Sequence, residues 1–232
     1  MLVARRADRL HKLAASLGTS AHVIAADLSK PADRAALVDR VAALGVTPDI
    51  LVNNAGLSTL GPVAESGPEA ELNLVEVDVS AVVDLCSRFV PGMVQRGRGA
   101  VLNVASVGAF GPVPGQAAYG AAKAFVLSYT QSLREELRKT GVVAATVCPG
   151  PVDTGFGEAA GFSMEEARAL LPAFLWKTPA EVAKAAVDGL DEGKAVIVPG
   201  GFNRAAAVLY HLAPRRLLLP LLARNHPGLK AD

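Results

Sequence analysis

The stretch Val101-Leu-Asn-Val-Ala-Ser106-Val-Gly-Ala-Phe-Gly-Pro-Val-Pro-Gly-Gln-Ala-Ala-Tyr119-Gly-Ala-Ala-Lys123 carries the strongest information about the fold. It joins a short apolar run, a loop rich in glycine and proline, and the start of a long run with helical spacing. The apolar run over 101–104 predicts a buried strand, and the pattern over 119–140 predicts a helix. The stretch therefore predicts a strand–loop–helix unit of an α/β protein.

The same alternation continues on both sides of this unit. Further strands are predicted at 2–4, 23–26, 50–52, 142–147 and 196–198, with helical patterns between them, including a long one over 72–95. Near-continuous apolar strands that alternate with helices are typical of a parallel sheet covered on both faces. We therefore predict a doubly wound, Rossmann-like parallel sheet in a single domain over 1–232, with a core over 1–200 and a helical tail over 201–232.

The composition excludes several functional classes. The 232 residues are 51% hydrophobic, and 23 Lys+Arg against 22 Asp+Glu leave a net charge of +1, which offers no field to attract nucleic acid. Two cysteines far apart predict neither a disulfide scaffold nor a thiolate zinc site, and they suit a reducing cytoplasm. The histidines show no ligand spacing, so no metal is predicted. No run reaches roughly 18 apolar residues, so we predict no transmembrane segment.

Polar residues cluster where the predicted strands end. Ligands of open α/β sheets bind beyond the carboxyl ends of the strands. In this sequence those positions are occupied by Arg5-Arg6, Asp27, Asn53-Asn54, Ser106 and Pro149-Gly150. The sequence therefore predicts a binding site along that edge.

Tyr119 and Lys123 are four residues apart on a predicted helix, so they share a face. An ammonium held near a phenol stabilises the phenolate and lowers a pKa that starts near 10, so that tyrosine can exchange a proton near neutral pH. Taken alone, the pair also fits an ordinary surface pair, and Ser106 fits an ordinary loop serine. The order strand, Ser106, Gly/Pro-rich loop and Tyr-x-x-x-Lys favours a catalytic site.

With Asn53-Asn-Ala-Gly56 and Pro149-Gly-Pro-Val-Asp-Thr154, each after a predicted strand, these motifs resemble the short-chain dehydrogenase/reductase family over nearly the whole chain. The resemblance implies an oxidoreductase that interconverts a ketone or aldehyde and an alcohol with a nicotinamide cofactor. It implies that Tyr119 is the general acid and base, that Lys123 lowers its pKa and binds the nicotinamide ribose, and that Ser106 holds the substrate oxygen.

The resemblance also implies a set of cofactor contacts. The adenosine half would meet Asp27, Leu28, Asn53, Asn54, Ala55 and Gly56, and the nicotinamide half would meet Pro149, Gly150, Val152 and Thr154. Members that prefer NAD(H) place a carboxylate at the end of the second strand. Here Ala4 holds that place and Arg5 and Arg6 follow, which predicts NADP(H) rather than NAD(H). Solvated charges at a helix start remain the alternative for the two arginines.

Two features depart from the family pattern. Asp78 occupies the place of an asparagine that holds a water in the proton relay; it either alters that relay or is a harmless replacement facing water. The Thr-Gly-x-x-x-Gly-x-Gly turn is missing, and Met1 falls where the second strand should begin. We therefore expect the first βα unit to be missing, which would leave two strand edges without partners. A shortened chain or mis-assigned start is the first explanation, and a short protein that has lost cofactor binding is the second.

The remaining expectations concern the ligand and the assembly. The loop 108–116 and the segment 155–177 would line the substrate pocket, and six large side chains there predict an apolar, bulky carbonyl or alcohol: Phe110, Phe156, Phe162, Phe174, Leu175 and Trp176. Packing in the core is the alternative for some of them. Family analogy implies a homodimer or homotetramer. The tail is predicted to form a lid or a subunit interface, with a membrane surface as the alternative. A non-catalytic scaffold that has lost its cofactor is the alternative function.

Overall fold

Strands and helices alternate along the chain. The structure, a computed structural model, describes residues 1–159, 161, 165, 168, 171–225 and 227–229. The first half contains β1 (Leu2–Ala4), α1 (Ala7–Ser16), β2 (Val23–Ala25), α2 (Pro31–Ala42), β3 (Ile50–Asn53), α3 (Pro68–Val75), a π-helical turn (Glu76–Ser80) and α4 (Ala81–Arg96). The second half contains β4 (Gly99–Val104), α5 (Ala117–Glu136), β5 (Val142–Val147), α6 (Phe156–Ala159), α7 (Pro179–Asp191), β6 (Val196–Ile197), α8 (Gly201–Leu212) and α9 (Arg215–Asn225). Short 3₁₀ turns lie at Val107–Phe110, Ala173–Leu175 and Pro227–Leu229.

Local sequence signals set several helix boundaries. Proline occupies a first-turn position in α2, α3 and α7, where its missing N–H costs no hydrogen bond. Thr178 and Glu181 form a reciprocal capping box at the start of α7. Gly97 ends α4 in the left-handed region, with φ of 68°. The long helix predicted over 72–95 is instead α3 and α4 joined by the π-helical turn.

The strands pair in parallel. β3, β4, β5 and β6 form a four-stranded sheet in that order, and β1 pairs with β2 in a separate two-stranded sheet. One face of the larger sheet packs Val101 and Ala144 against α4 and α5, and the other packs Leu102 and Ala145 against α7. Helices thus cover both faces of the sheet at β4 and β5, and the alternation of parallel strands with helices confirms the predicted α/β fold in a single domain.

The two sheets meet without a backbone hydrogen bond between β1 and β3. Val3 of β1 and Leu51 of β3 both pack on one apolar cluster, whose buried members are Ile24, Ala26, Leu37, Val41 and Leu85. One face of β3 is open, with Ile50 56% and Val52 51% exposed. Side-chain packing, together with Arg34 of α2, therefore holds the β1–α2 unit (residues 2–42) to the rest of the fold.

Candidate active site

Ser106 lies just beyond β4, where the chain turns into the 3₁₀ turn at Val107–Phe110. Its Oγ accepts the Gly108 N–H at 3.1 Å and caps that turn. A Cβ built on Gly108 would lie 3.5 Å from Ser106 Oγ and 3.9 Å from Tyr119 Cε1. The half-buried serine and tyrosine therefore flank the same glycine, and the structure brings together the two residues that the sequence pairs.

Tyr119 and Lys123 occupy the first two turns of α5. Lys123 is buried, and its Nζ lies 5.6 Å from the centroid of the Tyr119 ring. The ammonium donates to the Val104 carbonyl at 3.2 Å and pairs with Asp78 Oδ2 at 2.9 Å. Phe156 of α6 also contacts the phenol ring, with 6.0 Å between ring centroids. The tyrosine thus has a cation and an aromatic ring as neighbours.

Asp78 is almost completely buried in the π-helical turn. Its Oδ1 accepts the Leu57 N–H at 2.7 Å, and its other oxygen faces Lys123. Burial raises the pKa of the Asp78 carboxyl, against the opposing effects of the Lys123 ammonium and the Leu57 N–H. The interpretation of Asp78 as a water-facing replacement is therefore wrong, because its carboxyl is covered by Lys123 and by the chain at Leu57.

The chain leaving β3 runs along this ion pair. A Cβ on Gly56 would lie 3.1 Å from Lys123 Nζ and 3.2 Å from Asp78 Oδ2, so only a glycine leaves that approach open. Asn54 and Ala55 are exposed. Asn53 instead directs its side chain into the core, where its Nδ2 donates to Asn103 Oδ1 at 2.8 Å. Of this motif, Gly56 is the residue that touches the Tyr119–Lys123 region.

The residues predicted for the adenosine half lie at the ends of β1 and β2. Arg5 and Arg6 are exposed between β1 and α1. Asp27 follows β2, and its carboxylate accepts the Ser29 N–H and hydroxyl at 3.1 and 2.8 Å. Slight burial raises the pKa of Asp27, but the Ser29 hydrogen bonds and the nearby Arg5 charge lower it further, for a net decrease. The Leu28 carbonyl accepts a hydrogen bond from Arg34 Nη1 at 2.8 Å.

The segment that follows β5 lies next to the Ser106 turn. The Pro149 carbonyl accepts the Val107 N–H at 2.9 Å, which ties this segment to the Ser106 turn. A Cβ on Gly150 would lie 2.6 Å from the Asn203 side chain. Val152 forms an isolated parallel bridge with Lys177, and Thr154 Oγ1 accepts the Phe156 N–H at 3.2 Å. Much of the predicted pocket segment, including Phe162, lies outside the described residues.

Three buried polar residues near the site were not predicted from the sequence: Asn103, Thr130 and Asn203. Asn103 accepts from Asn53 and donates to Thr130 Oγ1 at 2.8 Å. Asn203 donates to the carbonyls of Leu175 and Pro199 and so fixes the start of α8 against Gly150. A polar residue inside an apolar strand was the available signal for Asn103. The sequence holds no signal for Asn203, whose partners are brought together by the fold.

A parallel α/β sheet with a serine just beyond one strand, and a tyrosine and a lysine on the helix that follows, is typical of a class of nucleotide-dependent oxidoreductases. The short chain dehydrogenase family model matches residues 1–162. The chain belongs to this family.

Three similar proteins illustrate the relationship. An uncharacterized oxidoreductase of Staphylococcus epidermidis is 32% identical over 166 residues, which are 70% of each chain. The inactive 2-(S)-hydroxypropyl-CoM dehydrogenase 2 of Xanthobacter autotrophicus is 34% identical over 207 residues, covering 86% of this chain and 89% of that one. A short-chain dehydrogenase from Sphingobium yanoikuyae, solved in complex with NADPH, is 32% identical with a TM-score of 0.78, over 100% of this chain and 88% of that one.

The described residues contain neither a candidate membrane span nor a candidate metal site. None of their helices combines the length and the hydropathy that a membrane span needs. In the same part of the chain, no three His, Cys, Asp or Glu side chains gather closely enough to hold a metal ion.

Proposed function

We propose that this protein is an NADP(H)-dependent oxidoreductase that interconverts a ketone or aldehyde and an alcohol, with Tyr119 as the general acid and base. The observation that carries the proposal is the meeting of Ser106 and Tyr119 at Gly108, one helical turn from the buried Lys123 ammonium. A substrate oxygen placed between the two hydroxyls would meet a proton donor and a hydrogen-bond donor together.

The roles of the side chains follow from the bonds that they already make. Ser106 Oγ accepts from Gly108, so its own O–H remains available to donate to the substrate oxygen. Tyr119 transfers its proton to that oxygen during reduction and takes it back during oxidation. A bound nicotinamide dinucleotide supplies or accepts the hydride. Phe156 shields the phenol from water on one side.

Lys123 is held in place by Asp78 in this proposal. The ammonium has three N–H donors, of which one faces Asp78 and one bonds the Val104 carbonyl. The third is available for a ribose hydroxyl. The buried Asp78 carboxylate balances the charge of Lys123. The proton relay in this proposal therefore passes an ion pair, in place of the asparagine amide and the water of the family pattern.

The cofactor preference rests on the end of β1. Ala4 offers no carboxylate to a ribose hydroxyl, and the two exposed arginines that follow can form charge-assisted hydrogen bonds with a 2′-phosphate. Arg5 is also close enough to Asp27 to act on its charge, so the ends of β1 and β2 face a common space. These residues fit NADP(H) better than NAD(H). The contacts of Leu28, Asn53 to Gly56, and Pro149 to Thr154 with the dinucleotide belong to the same proposal.

A non-catalytic binding protein is the second candidate. β1 and β3 lie in separate sheets and share no backbone hydrogen bond. A relative of similar length is itself named as inactive. These observations favour a scaffold whose surface, rather than its chemistry, is used.

Titration with NADPH separates the two candidates. We expect the 232-residue chain to bind NADPH with a micromolar Kd in a fluorescence titration and to oxidise it in the presence of bulky apolar ketones or aldehydes. Tyr119→Phe should reduce turnover by about 10²- to 10⁴-fold and leave the NADPH Kd within about threefold, since the phenol moves the proton rather than binding the dinucleotide.

Tyr129→Phe is the matched control. Tyr129 lies ten residues further along α5, where burial and the neighbouring Cys86 raise the pKa of its hydroxyl. The Tyr129→Phe variant should retain turnover. Absence of NADPH binding by the wild-type chain would favour the scaffold, and full turnover by Tyr119→Phe would remove the role assigned to the phenol. A cytoplasmic homodimer or homotetramer, with a core over 1–200 and a tail over 201–232, completes the proposal.

A further inference from the structure

Helices α8 and α9 each carry exposed apolar side chains on the outside of the fold. The inner side of α8 is fixed by Asn203 and Ala207, which are buried, and by Tyr210, whose hydroxyl donates to the Pro112 carbonyl. The outer side carries Ala205, Val208, Leu209 and Leu212, which line a shallow groove together with Arg204. Leu209 and Leu212 are 69% and 73% exposed, and Leu217 at the start of α9 is 69% exposed. We call Ala205, Val208, Leu209, Leu212 and Leu217 the tail face.

The charges around the tail face are of one sign. Between residues 202 and 231 the sequence contains Arg204, Arg215, Arg216, Arg224 and Lys230 but neither aspartate nor glutamate. The four arginines are exposed. The net charge of the whole chain is +1, so the rest of the protein is negative overall. The cationic character is therefore concentrated on the helices that carry the exposed leucines.

We propose that α8 and α9 dock the protein on an anionic lipid bilayer, with the tail face inserted among the headgroups. Helices with leucines on one side and arginines at the border lie in the plane of a bilayer interface, where apolar burial and attraction to anionic lipids add. At 12 and 11 residues the two helices suit lying in that plane. A second copy of this chain fits less well, because joining two tail faces would bring two sets of unbalanced arginines together.

Docking has a consequence for the candidate site. Tyr210 on the inner side of α8 packs against Gly111 and Pro112, in the loop that follows Ser106. A bilayer on the outer side of α8 would lie one helix away from this loop, so an apolar substrate could reach the site from the lipid. This consequence rests on the proposed function, whereas the docking itself does not.

Vesicle flotation tests the proposal directly. We expect the protein to float with vesicles of phosphatidylcholine and phosphatidylglycerol at 7:3, at least about 30-fold more tightly than with phosphatidylcholine alone, since each basic residue near an anionic surface contributes about fivefold. High salt should release it. Arg215→Glu/Arg216→Glu should weaken binding at least about 25-fold on the same basis. Arg9→Glu/Lys12→Glu on exposed positions of α1 makes the same change in net charge and should weaken binding less than about threefold.

The apolar contribution has its own pair of variants. Leu209→Ser/Leu212→Ser should weaken binding by about tenfold for each leucine, because both side chains would be buried in the interface. Leu72→Ser/Val187→Ser alters side chains that are 65% and 56% exposed elsewhere and should bind like the wild type. Thermal melts confirm that each variant is folded.

Three outcomes would overturn the proposal. The first is no flotation with the anionic vesicles, and the second is equal weakening by the α1 and α9 charge reversals. The third is a dimer in analytical ultracentrifugation that Leu209→Ser/Leu212→Ser dissociates while vesicle binding is absent, which would identify a second copy as the occupant. Because flotation needs no cofactor and no turnover, its failure is distinct from a failure of the proposed enzymatic activity.

Discussion

Replacing Arg34 by methionine should loosen the β1–α2 unit from the rest of the protein. The guanidinium is almost completely buried, and its Nε and Nη1 donate to Asp84 at 2.9 Å and Glu76 at 3.1 Å across the junction between the two sheets. β1 and β3 share no hydrogen bonds, and apolar side chains fill the junction between their sheets. The two contacts of Arg34 add ionic attraction to this apolar packing. Methionine keeps most of the aliphatic volume and removes the charge.

The expected loss at the junction follows from these two contacts. The guanidinium also donates to the Leu28 carbonyl at 2.8 Å, but that bond lies inside the β1–α2 unit. A hydrogen bond to a charged group contributes about 1.5–3 kcal/mol. Glu76 stays 43% and Asp84 23% exposed in these pairs, and Asp84 keeps Arg88 at 2.6 Å, so both acids remain solvated or paired after the substitution. The lower end therefore applies to each bond, which gives about 3 kcal/mol in total. For a chain of this size that corresponds to a decrease of about 6–12 °C in Tm.

Thermal melts and hydrogen exchange measure the two parts of this expectation. Amides of α1 and α2 should exchange faster in Arg34→Met, while those of α5 keep their protection. Burial raises the pKa of Asp84, but hydrogen bonds from Arg34 and Arg88 lower it further, to below 3.8. The stabilisation from this carboxylate is therefore present above about pH 4 and is lost as the pH falls through the lowered pKa. The difference between wild type and variant should shrink over that acid range.

Arg40→Met is the matched control. Arg40 lies on the same helix, but it is exposed and donates to the Ala25 carbonyl inside its own unit. It should cost less than about 1 kcal/mol. Equal effects of the two substitutions, or faster exchange spread evenly over the whole chain, would refute the idea that Arg34 joins the two sheets.

Two further predictions concern the site and the core. Gly56→Ala should lower turnover by about tenfold to a hundredfold, because a methyl 3.1 Å from Lys123 Nζ displaces the ammonium. Gly67→Ala, where a Cβ has open space, should retain turnover, and steady-state kinetics that show no difference between the two would contradict the close approach. Burial and Cys86 raise the pKa of Tyr129 to about 12, so its stabilising effect is full below about pH 10 and is lost as the pH rises to about 12. Tyr129→Phe should remove the phenolate absorbance step near pH 12 and flatten that alkaline loss of stability, and an unchanged titration would show that the phenol is not shielded.

Hydrophobic periodicity was sufficient for the strands and for the order of the elements. β5 lies at the predicted 142–147, because a strand buried on both faces needs an uninterrupted apolar run. The carboxyl-end rule pointed to the edge that holds Ser106, and the Tyr-x-x-x-Lys spacing pointed to Tyr119 and Lys123. The missing first βα unit stays a prediction, and β1 and β3 lie in separate sheets.

The π-helical turn and the burial of Asp78 were beyond the sequence. Residues 76–80 continue the apolar spacing of the neighbouring helices, so nothing in the pattern marks one extra residue per turn. Burial depends on what covers a side chain. Asp78 is covered by the chain after β3 and by Lys123, which are separated from it by about 20 and 45 positions. Asn203 is a similar case, since its partners come from distant loops.

The Asn53–Asn103–Thr130 chain has a consequence for the precision of the fold. Asn53 and Asn103 are direct neighbours across β3 and β4, and Thr130 extends the chain to α5. Sliding either strand by one position would point an amide at the wrong side of the sheet and leave it buried without a partner. These three side chains therefore fix the register of β3 against β4 and the position of α5 on the sheet. Ser106 lies three residues after Asn103, and Lys123 lies two helical turns before Thr130, so the relative positions of these two site residues depend on the buried hydrogen-bonded chain.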